Sequence, residues 1–340
     1  MKGKATSLDI AYLAGVSQPT VSRALRGSPT VNEETRKRIL AIATELNYKV
    51  DKNASSLRRQ QSYTLALLFF EDPTPDDSLI NPFFLSMLGS LTRACGAKGY
   101  DLIVSFQEQS GNWHAEYEDS KKADGIILLG YGDYVEYSSR LSELVEQGTH
   151  FVRWGAVLPG QLGVSIGCDN KQGGTDLTRH LIDQGWRRIG FVGNASEHYP
   201  EFLERYRGYA QALRESGLEA DPDLQVDAIT TERSGYEAAN RLMERKAPFD
   251  ALFCASDLIA IGAMRALQEK GFAIPRDVAI AGFDDIPVAS FTNPGLSTVQ
   301  QDTKTAANLL VETLLALIQG ETVQSTTISA PLVIRQSTRR

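Results

Sequence analysis

The chain has 340 residues, 42% hydrophobic, 23% charged and 8% aromatic, enough apolar material for two or three domains with cores of their own. Averaged over that length, a net charge of −7 from 35 basic and 42 acidic side chains argues against a nucleic-acid partner. The N-terminus MKGKATSLDI is not followed by an apolar run of signal-peptide length, and no stretch approaches the roughly 18 apolar residues of a membrane span. Secretion and membrane insertion are disfavoured, and the cytoplasm is the expected compartment.

Divided along the chain, the charge tells a different story. Residues 1–61 carry eleven basic and five acidic side chains, a balance of +6, and the remaining 279 residues carry −13. A basic head on an acidic body points to a polyanion partner for the head. Cys95, Cys168 and Cys254 are odd in number, far apart and flanked by apolar residues, so reduced buried thiols are expected and neither disulfides nor metal ligands.

In the head, Ile10, Leu13 and Ala14 recur at helical spacing behind Ser7, an N-cap candidate with Asp9 in the first turn. Gly15 ends that helix, since glycine takes the left-handed conformation without strain. Ser17 then offers an N-cap to QPTVSRALRG, with Pro19 in the first turn and Val21, Ala24 and Leu25 facing inward. Gln18, Thr20, Ser22 and Arg23 remain outside. A third helix starts at Asn32, buries Ile39, Ala43 and Leu46, and ends near Asn47. Helix, glycine turn and a second helix with small polar and arginine side chains outside is the helix-turn-helix pattern, although generic three-helix bundles share its periodicity.

The segment SLDIAYLAGVSQPTVSRALRGSPTVNEETRKRILAIATELNY, continuing into DKNASSLRRQQS, resembles the DNA-binding head of the lac repressor/purine repressor (LacI/GalR) family of bacterial transcription regulators. The blocks AGVS, TVSRAL, V-x-x-x-TR, ELNY and A-x-x-L carry the resemblance. It implies that Gln18, Pro19 and Arg23 read base edges, with Thr6, Ser17, Ser22 and Asn32 as phosphate-side or capping contacts. Chemistry agrees for Gln with adenine and Arg with guanine, while Pro19 can give only apolar contact, for instance to a thymine methyl. Arg23 also fits a phosphate or intrahelical contact. In the family, the linker forms a short helix on operator DNA; Ala54 falls within it, and Leu57 matches the leucine wedged into the minor groove. Packing of Leu57 on the next domain is the alternative, and Val50 stands where several relatives have proline.

From Tyr63 onward, apolar runs alternate with helical stretches: YTLALLFF, DLIVSF, DGIILLG, HFVRWG, RRIGFVG, DALFCAS and DVAIAGFDD. Such alternation implies parallel sheets, and two doubly wound lobes would bind ligands just beyond their strand ends. The expected fold is an all-α helix-turn-helix head (1–50), a hinge (51–61) and an α/β body (62–340) like the type I periplasmic binding proteins. Lobe 1 is placed at about 62–165 and 292–322, and lobe 2 at about 166–291 and 323–340.

The resemblance continues through NPFFLSMLGSLTRACGAKGYDLIV, GCDNKQGGTDLTRHLIDQGWRRIGFVG, ERYRGYAQAL, CASDLIAIGAMRAL, AGFDDIPVA and STVQQD. By these matches Arg205, Ser256, Asp284 and Gln301 fall where relatives hold a small-molecule effector, with Asn81, Phe83 and Phe84 opposite. A carboxylate accepting from vicinal hydroxyls, a guanidinium and an aromatic plate (Phe83 or Trp154) suit a neutral mono- or oligosaccharide. Trp154 fits core packing equally well. It precedes Gly155-Ala156 where relatives often carry Asp-Arg, so the sugar itself is not inferred. Asp257 and Asp285 are read as helix caps ahead of ligand contacts.

His114, His150, His180 and His198 have no metal-ligand spacing, and no Walker or G-x-G-x-x-G loop is present, so neither catalysis, a cofactor nor a metal is expected. Specificity on DNA requires two half-sites, which implies a homodimer on a pseudo-palindromic operator. The chain ends at VIRQSTRR, soon after TTISAPLVI, and the heptad tail of the lac repressor tetramer is not expected. The family reading is repression of carbohydrate-utilisation genes relieved by the sugar, with a ligand-dependent activator or dual regulator and a sugar-binding transport protein as alternatives.

Overall fold

The computed structural model describes residues 5–25, 27–48, 61–70, 80–107, 111–130, 132–245 and 247–340. It divides into two compact units, Met1–Ser62 and Tyr63–Arg340.

The first unit holds α1 (Ser7–Ala14), α2 (Gln18–Leu25) and α3 (Glu33–Glu45). Thr6, not Ser7, caps α1. Its hydroxyl accepts from the Asp9 N–H while the Asp9 carboxylate accepts from the Thr6 N–H at 2.7 Å, a reciprocal box that satisfies two otherwise orphaned donors. Those hydrogen bonds from Thr6 hold the Asp9 carboxyl below its ordinary value. Gly15 takes φ 63° and closes α1 through N–H bonds to Ala11 and Tyr12. Ile10, Val21 and Ile39 are fully buried and join Ala11, Ala14, Ala24, Val31 and Ala43 in one small core. The phase of α1 differs from the sequence reading: Ala11 packs inward while Leu13 is 56% exposed. Arg36 ties down the α2–α3 connection by donating to the Ser28 and Val31 carbonyls.

The second unit begins with β1 (Thr64–Phe69), α4 (Pro82–Ala97), β2 (Asp101–Phe106), β3 (Ile126–Leu129), α5 (Tyr134–Glu146), β4 (Phe151–Trp154) and β5 (Val164–Cys168). There follow α6 (Asn170–Asp183), β6 (Ile189–Val192), α7 (Pro200–Glu215), β7 (Gln225–Val226), α8 (Glu232–Glu244), β8 (Ala251–Cys254), α9 (Asp257–Glu269) and β9 (Ala279–Ala281). The chain closes with β10 (Thr298–Val299), α10 (Thr303–Ile318), β11 (Thr326–Ile328) and β12 (Leu332–Val333).

Among the described residues the strands form a parallel six-stranded sheet, ordered β11-β5-β4-β3-β1-β2, and a parallel four-stranded sheet, β7-β6-β8-β9. Each is the core of one lobe. On β1, Leu65, Leu67 and Phe69 join the core that includes α4 and α10, while Ala66 and Leu68 pack with Trp113, Tyr117 and α5. A strand covered on both faces must be apolar at every position, which is why YTLALLFF reads as an unbroken run. In the second lobe α6 meets α7, and α8 meets α9, at glycines: a Cβ on Gly262 would lie 1.9 Å from the Glu232 carbonyl oxygen.

The lobe boundaries differ from the sequence placement. The first sheet extends through β5 to Cys168, past the expected break at 165, and β11 pairs with β5, so 326–328 belong to lobe 1 rather than lobe 2. Conversely Ser297 and Thr298, assigned to lobe 1, are held in lobe 2 by Ser337 and by the Asp257 carboxylate. The chain therefore crosses between the lobes at 168–170, 299–303 and 328–332. Antiparallel β10 and β12 lie beside the second and third crossings.

All three cysteines are free and buried; burial pushes the Cys95 thiol up to about 11 and the Cys168 thiol up to about 12, values of inert thiols.

Candidate functional site

Two surfaces carry chemistry, one in each unit. On the head, Gln18, Pro19 and Arg23 are exposed and fall within six residues of one helix, α2, whose buried face is Val21 and Ala24. Gln18 donates from Nε2 to the Ser7 hydroxyl at 2.9 Å, which braces it against α1. The Ser17 and Thr20 hydroxyls lie 2.9 Å apart at the start of α2, and Ser22 is half-buried. Thr6 and Asn32 both act as caps: the Asn32 Oδ1 accepts from the Thr35 N–H at 2.8 Å. Ala54 and Leu57 lie outside the described residues.

In the body, a cavity of about 130 Å³ opens between the lobes, beyond the carboxyl ends of the strands. Lobe 1 contributes Phe70 after β1, Asn81, Phe83 and Phe84 at the start of α4, Gly130 and Gly132 after β3, and Trp154 at the end of β4. Lobe 2 contributes Tyr199, Glu201, Phe202 and Arg205 around the first turns of α7, with Thr230 and Asp284, while Gln301 stands on a crossing segment.

Arg205 organises the polar floor. It is buried, donates from Nε to Asn170 Oδ1 at 2.8 Å and from a terminal nitrogen to the Ala255 carbonyl, and lies 3.5 Å from an Asp284 carboxylate oxygen. Its guanidinium sits 3.7 Å from the centroid of the Phe283 ring. The same Asp284 oxygen accepts from Gln301 Nε2 at 2.6 Å. Burial raises the Asp284 carboxyl to about 6, against the opposing pull of Arg205 and Gln301.

Asp284 and Asp285 both have positive φ, 120° and 55°, a strained backbone that side-chain-bearing residues rarely adopt. The bend is held by the Asp284 N–H on the Val299 carbonyl, by Arg335 on the Asp285 carboxylate at 2.7 Å, and by Asp257, which accepts from the Ile286 N–H at 2.9 Å and the Thr298 hydroxyl at 2.6 Å. Asp257 and Asp285 thus fix the loop that presents Asp284, and neither caps a helix as the sequence reading had it.

Aromatic rings form the opposite wall. Phe83 and Phe84 meet edge-on at 5.3 Å, and Phe83 lies 6.0 Å from Trp154. Trp154 is largely buried in the core of lobe 1 and also lines the cavity. Asn81 caps α4 by accepting from the Phe83 N–H at 2.9 Å. Ser256 does not line the cavity: it is fully buried and accepts from the Ile259 N–H as the N-cap of α9.

Residues that sequence reasoning missed are Phe70, Gly130, Gly132, Tyr199, Glu201, Phe202 and Thr230. Glu201 accepts from the Ala156 N–H at 2.7 Å, a bond from one lobe to the other. The signal that could have found the α7 residues is their position just beyond β6. With one guanidinium, two carboxylates and six aromatic rings, the cavity suits a neutral ligand rich in hydroxyls and apolar faces. Among the described residues no helix is long and apolar enough to cross a membrane, and no cluster of three or more His, Cys, Asp or Glu is placed to hold a metal.

A helix-turn-helix unit joined to a two-lobed body of this topology defines a DNA-binding transcription regulator with a small-molecule compartment. Residues 6–51 match the model of bacterial regulatory proteins of the lacI family, and residues 178–338 match the periplasmic binding protein-like domain. The chain is 32% identical to a probable HTH-type transcriptional repressor, ExuR, of Bacillus subtilis, covering 98% of both chains. It is 30% identical to the transcriptional regulator GalR of Escherichia coli, covering 98% of this chain and 95% of that one. Among solved structures, a complex of the transcriptional regulator CelR with cellobiose superposes with a TM-score of 0.72 at 29% identity, covering 98% of this chain and 99% of that one. The lac repressor dimer bound to operator and an anti-inducer shares the fold at a TM-score of 0.82 and 23% identity, over 99% of both chains. The protein belongs to the LacI/GalR family of transcription regulators.

Proposed function

We propose that this regulator is a homodimeric, cytoplasmic and non-enzymatic repressor of carbohydrate-utilisation genes, released from a pseudo-palindromic operator when a neutral saccharide binds between its lobes. The observation that carries the saccharide is the cavity, where Asp284, Arg205 and Gln301 form a hydrogen-bonded floor opposite Phe83, Phe84 and Trp154. Vicinal hydroxyls donate to Asp284 and accept from Arg205 and Gln301, while the rings cover the apolar face of a pyranose. Asn81 supplies a further amide. On the head, Gln18 and Arg23 read base edges and Pro19 contributes apolar contact, with Thr6, Ser17, Ser22 and Asn32 on the phosphate side. Ala54 and Leu57 belong to the hinge that contacts the minor groove.

The three crossing segments let a ligand shift the lobes against each other, and this couples the cavity to the spacing of the paired heads. Such coupling is reciprocal, and about 1–3 kcal/mol of it changes operator affinity about 5–150-fold. The test begins by selecting operator sequences from a random duplex library with the full-length protein. Fluorescence anisotropy on the selected duplex, with and without a panel of neutral saccharides, is expected to show a sugar-dependent loss of affinity. Selection of no sequence, or equal affinity across every sugar in the panel, would refute the proposal.

A further inference from the structure

The cleft holds a second compartment. A cavity of about 500 Å³ adjoins the inner one and shares Phe70, Gly132, Tyr199 and Thr230 with it as a common wall. The inner cavity alone, about 130 Å³, is small beside the ~300–1,000 Å³ of ordinary small-molecule sites, and the two together fall within that range. A monosaccharide would leave the larger compartment to water.

The outer compartment carries a polar anchor of its own. Gln107, just past β2, lines it and is more than nine-tenths buried. Its Nε2 donates to the Leu68 and Gly130 carbonyls, at 3.0 Å each, which fixes the amide orientation. Its Oε1 is buried and accepts no hydrogen bond among the described residues. A buried acceptor without a donor is costly, and a bound hydroxyl relieves that cost. Trp113, also on the wall, offers an aromatic face, and the Arg140 guanidinium lies 5.5 Å from its centroid. Two carboxylates, Asp133 and Glu136, against the one Arg140 leave this compartment, like the inner one, without surplus positive charge for an anionic ligand.

We propose that the cleft is built for a neutral glycoside of at least two sugar rings, the first on the Arg205–Asp284–Gln301 floor and the second in the outer compartment, where a hydroxyl donates to Gln107 Oε1. This inference rests on the saccharide reading of the inner cavity and adds the length of the ligand.

The test is calorimetric titration of the full-length dimer with cellobiose, maltose, lactose, melibiose and xylobiose, and with glucose, galactose and xylose. At least one disaccharide is expected to bind tenfold or more tightly than either of its component sugars. Ser139→Trp and Ile229→Trp place bulk in the outer compartment from opposite lobes without touching the inner wall, at positions exposed enough to keep the fold. Each should erase the disaccharide margin and leave monosaccharide affinity where it was, with unchanged circular dichroism as the folding control. A monosaccharide that binds as tightly as its disaccharides, or a disaccharide indifferent to both tryptophans, overturns the second compartment while sparing the saccharide reading. No heat from any sugar, short or long, brings down both.

Discussion

Helix α2 and the cleft present their chemistry in opposite ways. Gln18, Pro19 and Arg23 lie within six residues of one another, exposed on a helix held by a separate buried face. The cavity gathers its wall from positions between Phe70 and Gln301, and the polar groups of its floor are buried and bonded to each other. Reading and folding are therefore separable on the head and entangled in the body. A substitution on the exposed face of α2 should alter what is read and leave stability alone, whereas a substitution on the floor of the cleft should disturb both.

The largest effect expected from this contrast is at Arg205. Removing it leaves the buried Asp284 carboxylate without its cation, and breaking a buried pair typically costs about 3–5 kcal/mol. Arg205→Ala should lower the denaturant midpoint of the body strongly at pH 8, and Asp284→Asn in the same chain should restore part of the loss. Additive effects in that double-mutant cycle would show that the two side chains do not act as a unit.

Arg23→Ala is the counterpart on the head. It should cost roughly 1–3 kcal/mol at the operator and relax preference at one base position, while the unfolding free energy stays within about 0.5 kcal/mol of the parent. Uniform weakening on all duplexes, with a shallower salt slope, would move Arg23 from base to phosphate.

The same contrast explains what the sequence revealed. Helix caps and periodicity are local, so Gly15, Asn32 and the inward face of α2 were legible, and the errors there are small shifts: Thr6 in place of Ser7, Ala11 in place of Leu13. Arg205, Asp284, Gln301, Asn81, Phe83 and Phe84 came from the resemblance and Trp154 from its aromatic chemistry at a strand end, and the structure brings all seven to one cavity. Tyr199, Glu201 and Thr230 were not, because a wall residue is defined by which strand ends converge and how far the lobes close. Ser256 shows the converse limit: a serine just past a strand is as good a helix cap as a ligand contact, and this one accepts from the Ile259 N–H as the cap of α9. β11 was misassigned because Thr326 and Thr327 are exposed on an edge strand, and their pairing with β5 spans some 160 residues of chain.

Protonation should separate head from cleft again, with a smaller effect. Burial raises Asp284 to about 6 in the folded body, above its ordinary 3.8. Between those values the folded state holds a proton that the unfolded chain releases, so this group favours folding at low pH and loses that contribution as pH rises through about 6. Asp284→Asn should therefore gain on the parent as pH rises from 4 to 7 in urea titrations. If ligand hydroxyls donate to the ionised carboxylate, as proposed above, saccharide affinity of the parent should fall below pH 6. A parent affinity unchanged between pH 5 and pH 7 would take Asp284 off the ligand. Operator affinity of isolated heads, which contain no histidine, should not follow that profile.

The smallest effect belongs to a contact that distinguishes folding of the lobes from their closure. His198, from the second lobe, pairs through Nδ1 with the Asp133 carboxylate of the first, and its backbone carbonyl accepts from the Tyr134 N–H at 2.9 Å. The His198 side chain is half exposed, and an exposed polar pair of this kind is worth at most about 0.2–1 kcal/mol. His198→Ala should therefore barely move the unfolding midpoint. Closure is a balance between two folded arrangements, however, and 1 kcal/mol changes such a balance about fivefold. Small-angle scattering of the ligand-free body should show a larger radius of gyration in His198→Ala than in the parent, with the two converging once ligand closes the cleft. Identical radii without ligand would mean that the lobes are held together by the Glu201–Ala156 bond and the crossing segments, and that the His198–Asp133 pair is a consequence of closure rather than a cause.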